Sequence, residues 1–182
     1  MTARIYTGAT VFDGARLHPG ASLRVVDGIV TGPGPGTEVA LDGGILAPGF
    51  LDLQVNGADG RMVDGSCTAD WLARMCAVHA GLGATGILPT LITDTAEATA
   101  AVIAAGAEAA RRQTPGFLGL HLEGPHLDPR RKGAHDPALI RAMTEADLVR
   151  LLDAATALPR LMVTLPRKVL HPTRLPGWRR RG

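Results

Sequence analysis

Aromatic side chains are scarce in this sequence: three phenylalanines, two tryptophans and one tyrosine make up 3% of its 182 residues. A core must therefore be filled by Ala, Val, Leu and Ile, which raise the hydrophobic fraction to 46%. Cysteine is nearly absent as well. Cys67 and Cys76 are two thiols, too few for a disulfide framework, and point to a reducing, cytoplasmic setting. No secretory signal and no run of ~20 apolar residues is present, so the sequence offers no membrane span. Acidic residues are missing from the last 17 positions, Pro166–Gly182, which hold six of the 19 basic residues. The preceding 165 residues carry 13 basic against 17 acidic groups, so the formal charge of +2 conceals an acidic body with a basic tail. Such a tail can attract nucleic acid by charge alone, but neither interleaved aromatics nor a recognition helix accompanies it, and no nucleic-acid partner is expected.

Glycine and proline, by contrast, are plentiful at 23 and 13 residues and punctuate short elements. Residues 1–47 read as brief β segments, Arg4–Tyr6, Ala9–Phe12, Ser22–Val26 and Ile29–Thr31. They are separated by Asp13-Gly14, His18-Pro19-Gly20 and the hairpin signal Asp27-Gly28, with Gly32–Gly36 as a turn-rich connector. We read this stretch as part of a small β-sandwich.

From Ala47 onward strands alternate with helical periodicity. Strands are predicted at Phe50–Val55, Gly86–Thr93, Phe117–Glu123 and Arg160–Leu165. Helices are predicted from Thr68-Ala69-Asp70 to about Leu82, from Asp94-Thr95 to about Gln113, and from Thr144 to about Ala157. Three βα units and a fourth strand, over residues 48–165, make the first half of an α/β (β/α)8 barrel.

The chemistry concentrates in Gly119–His135, GLHLEGPHLDPRRKGAH. A barrel gathers its active residues at the C-terminal ends of its strands. Glu123, closing an apolar run, is placed to offer carboxylate oxygen to a metal, or to end the strand as a salt-bridged acid. Gln54 and Asn56 lie two apart at the end of the first strand, hence on one face; they either line the mouth opposite Glu123 or cap a turn. His121 shares the face of Glu123 but lies deeper, as a buried support rather than a ligand. His126 reads as loop surface or pocket rim. His135 follows Lys132-Gly133-Ala134 and is either a neutral-pH donor at the site or an ordinary loop histidine. His18, His79 and His171 receive no chemical role.

Taken together, PGFLDLQVNG, GILPTLIT and HLEGPHLDPRRKGAH resemble the N-acetylglucosamine-6-phosphate deacetylases of the amidohydrolase superfamily, over about Met1–Leu165. The resemblance implies an N-terminal portion of a metal-dependent TIM barrel. It implies hydrolysis of N-acetylglucosamine 6-phosphate to glucosamine 6-phosphate and acetate, with one divalent ion, zinc or iron, as cofactor and a homodimer for the full-length protein. Glu123 matches the metal-binding Glu, and Ala134 and His135 match the residues that contact the amino sugar. Gln54 and Asn56 match the Gln and Asn that replace a metal-binding His pair in one branch, and they disfavour the amidohydrolases of cyclic amides.

Two further metal-binding histidines and the catalytic aspartate of the family have no counterpart here, so no catalytic general base is assigned. The expectation is an incomplete, truncated and inactive chain, or a non-catalytic module that binds a sugar or a partner. Relatives continue the fourth strand as VTLAPE, whereas this chain reads Leu165-Pro166-Arg167-Lys168. Deleting the first G from CTC-GCC-CCG-GAA-G turns one reading into the other, so residues 166–182 are expected to be out of frame.

Overall fold

A computed structural model describes residues 2–166; apart from Pro166, the basic tail and its expected frameshift lie outside them. The chain divides into two compact units between Gly49 and Phe50.

The first unit holds seven short strands: β1 (Ala3–Thr7), β2 (Thr10–Phe12), β3 (Leu17–His18), β4 (Leu23–Val26), β5 (Ile29–Thr31), β6 (Thr37–Ala40) and β7 (Ile45–Leu46). They form a four-stranded sheet in the order β5-β4-β1-β6 and a three-stranded sheet in the order β3-β2-β7. The β4–β5 hairpin turns through Asp27 and Gly28, both with positive φ (48° and 84°), the geometry that matches the twist of paired strands. Strands β3, β6 and β7 escaped the sequence reading. β6 and β7 are short and pair in parallel with distant segments, Arg4 with Thr37 and Thr10 with Ile45, so no local turn announces them. Among the described residues of this unit only Ala9 is buried.

The second unit contains β8 (Phe50–Val55), the hairpin β9 (Gly57–Ala58) and β10 (Arg61–Met62), α1 (Ala69–Gly81), β11 (Ala84–Ile92), α2 (Ala96–Arg111), β12 (Leu120–Glu123), α3 (Glu145–Ala157) and β13 (Leu161–Thr164). Each helix begins where a threonine satisfies a free N–H. Thr68 accepts from Trp71 N, Thr95 from Ala98 N, and Thr144 exchanges bonds with Asp147 in a capping box. The four long strands are parallel and ordered β8-β11-β12-β13, each beside its neighbour in sequence. This mixed α/β unit is packed by aliphatic side chains. Leu72, Met75, Val102 and Leu120 are sealed from solvent, and among the described residues Phe117 is the one buried aromatic, with half-buried Trp71 packed against the core. β8 and β13 are the outer strands, and Phe50, Leu51 and Leu53 on β8 are exposed.

One expected strand is shorter than its apolar run. β12 starts at Leu120, not Phe117, because the backbone changes partners at Gly119. Leu118 N donates to the Ile87 carbonyl, whereas Leu120 N donates to that of Arg160. Gly119 makes the switch at φ 141°, where a Cβ would overlap the Arg160 carbonyl. Among the described residues no helix is long and apolar enough to cross a membrane.

Candidate functional site

Parallel strands of equal direction bring their C-terminal ends to one edge of the sheet, and the register sets which residues meet there. Ile92 lies beside Glu123, and Glu123 beside Thr164. Glu123 thus closes β12 between two neighbours, its side chain 21% exposed. Gln54, at the end of β8, donates from Nε2 to Glu123 Oε2 at 2.9 Å, across 69 positions of sequence. His135 enters from the loop after β12, with Nε2 3.7 Å from Glu123 Oε1. No arginine or lysine pairs with Glu123 among the described residues; its neighbours there are the Gln54 amide and the His135 ring.

The His135 ring is held by Thr93. Its Nδ1 lies 2.8 Å from Thr93 Oγ1 and accepts from Thr93 N at 3.3 Å. Because Nδ1 accepts from Thr93 N, the N–H of the ring is that of Nε2, the nitrogen that faces Glu123. Thr93 also sets the backbone path of the loop. Gly124 passes so close, at φ 103°, that a Cβ there would collide with the Thr93 hydroxyl. The peptide that follows, Gly124–Pro125, is cis.

Below Glu123 runs a buried polar line. His121 Nδ1 is 3.3 Å from Thr90 Oγ1 and its Nε2 is 2.8 Å from Thr164 Oγ1, while Thr90 Oγ1 accepts from Val55 N at 3.1 Å. His121 links strands β11, β12 and β13 beneath the mouth, and burial lowers its pKa, keeping the ring neutral. Thr90 and Thr93 were missed as site residues. Their signal was present, since a hydroxyl inside a strand as apolar as GILPTLIT must find a partner once buried.

One expected placement, that of His126, is corrected by the structure. Asn56 lies beyond the end of β8, its carbonyl accepts from Val63 N, and its side chain makes no hydrogen bond among the described residues; Gln54 alone reaches Glu123. His126 is buried rather than on the loop surface, with Nδ1 3.3 Å from the Arg141 carbonyl and Nε2 3.8 Å from Asp147. Ala134 is exposed on the loop beside His135.

Metal donors at the mouth are few. Glu123 supplies a carboxylate and His135 an imidazole nitrogen, and the amide nitrogen of Gln54 is already a donor to Glu123. No group of three or more His, Cys, Asp or Glu able to hold a metal exists among the described residues. Catalytic zinc takes three protein ligands, so this set by itself does not fit a tightly held ion.

No family model matches the chain. It is 38% identical over 152 residues to the N-acetylgalactosamine-6-phosphate deacetylase of Shewanella sp. (strain ANA-3), covering 79% of this chain and 39% of that protein. With the N-acetylglucosamine-6-phosphate deacetylase of Haemophilus influenzae it shares 36% identity over 106 residues, 58% of this chain and 28% of the relative. The solved N-acetylglucosamine-6-phosphate deacetylase of Pasteurella multocida superposes with a TM-score of 0.79 at 27% identity, covering 87% of this chain and 44% of that one. The resemblance read from the motifs is borne out: the chain is similar to amino-sugar-6-phosphate deacetylases over a part of their length. It spans well under half of these relatives.

Proposed function

We propose that this chain carries the strand-mouth portion of an amino-sugar-6-phosphate deacetylase, on the first half of a (β/α)8 barrel with part of a β-sandwich before it. The observation that carries the reading is the convergence of Gln54, Glu123 and His135, from three separate segments, at the C-terminal edge of four parallel strands taken in sequential order. That edge is where barrel enzymes place their chemistry.

In this reading His135 presents Nε2–H to the amino sugar while Thr93 holds the other ring nitrogen, and exposed Ala134 beside it leaves room for the sugar. Glu123 is the oxygen ligand that the described residues offer to a divalent ion, zinc or iron, and Gln54 fixes the orientation of its carboxylate. Because the donor set does not complete a metal site, no hydrolytic step is routed through an ion. The substrate class is an N-acetylhexosamine 6-phosphate, hydrolysed to the hexosamine 6-phosphate and acetate. The relatives are named for the glucosamine and the galactosamine compound, so both epimers belong in the test. A cytoplasmic setting, a homodimer and the absence of a nucleic-acid partner belong to the same proposal.

Titration calorimetry of the full chain with N-acetylglucosamine 6-phosphate and its galactosamine epimer tests it. Saturable binding of one or both is expected, weakened about tenfold or more by His135→Asn, the loss that follows when a sugar hydroxyl or amide goes unpaired. No saturable binding, or binding indifferent to His135→Asn, overturns the assignment. The small donor set favours a second reading, a sugar-binding module without catalysis. Acetate release with zinc or iron supplied separates the two: release supports the enzyme, and binding without release supports the module.

A further inference from the structure

The loop after β12 must hold His135 at the strand mouth, yet its own backbone bonds are local. Arg131 N donates to the Asp128 carbonyl, His135 N to Lys132 and Leu139 N to Asp136. The His135 ring itself rests on Thr93, and the stems of the loop carry further ties. There, Arg141 N donates to the Pro125 carbonyl at 3.1 Å and the Arg141 carbonyl lies 3.3 Å from His126 Nδ1, so the two stems are tied to each other. The Arg141 guanidinium then grips Asp147 of α3 with both terminal nitrogens, at 2.5 and 2.8 Å. Asp147 is 4% exposed and also accepts from Arg150 at 3.1 Å and from Thr144 N and Oγ1. Gly124, His126, Arg141, Asp147 and Arg150 surround one small void, so both stems and α3 meet at this point.

We propose that the Arg141–Asp147 pair is a clasp that positions His135 at the sugar site by pinning both stems of its loop to α3. The proposal rests on the reading of His135 as the sugar contact. Asp147 has two tasks, and they are separable. Through Thr144 it starts a helix; through Arg141 it shapes a loop whose working end reaches the other side of Glu123. A planar, bidentate guanidinium suits the second task because it fixes direction as well as distance.

The test uses the full chain labelled at its histidines, with native-state amide exchange and histidine ring NMR, the His135 signals being assigned with His135→Gln. Arg141→Gln is expected to shift the His135 ring signals and to raise amide exchange across residues 126–141 about tenfold or more, with the interior of α3 unchanged. Arg141→Lys, which keeps the charge but loses the fork, is expected to fall between. Thr144→Ala removes the helix cap, keeps the clasp, and is expected to leave the His135 signals in place. Unaltered His135 signals in Arg141→Gln, or equal disturbance by Arg141→Gln and Thr144→Ala, overturn the proposal. Titration with N-acetylglucosamine 6-phosphate completes the test, with binding to Arg141→Gln expected to be about tenfold weaker than to the parent. If the parent His135 signals ignore the sugar phosphate while Arg141→Gln still releases the loop, the clasp stands and the sugar assignment fails.

Discussion

Residues 2–49 and residues 50–166 are both assembled from short strands, yet they are held together differently. The first unit buries a single residue, Ala9, and leaves Ile29, Val30 and Ile45 more than half exposed. Its order rests on ladder hydrogen bonds and on turns that exploit positive φ. The second unit seals Leu72, Met75, Val102 and Leu120 from water between helices and a parallel sheet. Apolar burial is the dominant favourable term in folding, so the unit that carries the candidate site is also the one with the larger buried core.

Truncation in the two cores should expose this difference most strongly. Leu72→Ala is expected to destabilise by about 2–5 kcal/mol, whereas Val30→Ala in the first unit should stay within about 0.5 kcal/mol. Equal shifts of Tm in thermal denaturation would break the contrast. Two glycines sharpen it at closer range. Gly14 (φ 101°) and Gly124 (φ 103°) have nearly the same φ, but a Cβ at Gly14 meets nothing within 4 Å and one at Gly124 meets Thr93. Both alanine variants suffer the conformational penalty, about 1–2 kcal/mol; only Gly124→Ala should lose more than that and also displace the His135 ring. Paired urea titrations read the difference.

A smaller and pH-dependent effect separates the acids of the two units. The guanidinium of Arg141 holds the Asp147 carboxyl well below its ordinary range, despite the opposing effect of burial. Because the folded pKa is depressed, the stabilisation is complete above the unfolded value of 3.8 and is lost as pH falls below it. Stability measured by denaturant should decline below about pH 4, less steeply in Asp147→Asn. Asp13 in the first unit is lowered to about 2, first by the backbone N–H of Arg16 and then by His18, but it is fully exposed, so Asp13→Asn should barely alter that slope. The slightest effect concerns the thiols, both in the second unit. Burial pushes Cys76 up to about 11 and raises Cys67, so neither should alkylate at neutral pH until that unit opens. Rapid labelling under native conditions would show the second core to be looser than its burial implies.

Legibility followed range of interaction. β8 was read at its observed bounds, and the helix starts at Thr68, Thr95 and Thr144 were readable because a cap and the N–H it satisfies lie within three residues. Glu123 and Gln54 were nominated by position on their strands, and they meet. What failed was non-local. The partner exchange at Gly119 depends on Arg160, the burial of His126 depends on Arg141 and Asp147, and the value of Thr93 depends on a histidine 42 positions away.

The sequence by itself determined the alternation of strands and helices, the aliphatic character of the core and the carboxylate that closes β12, because periodicity, capping and residue volume act over a few neighbours. Only the tertiary structure decided which side chains share the mouth and what holds the loop there. Those outcomes depend on strand register and on contacts such as Gln54 with Glu123 and Thr93 with His135, which join residues far apart in the chain and have no local cause.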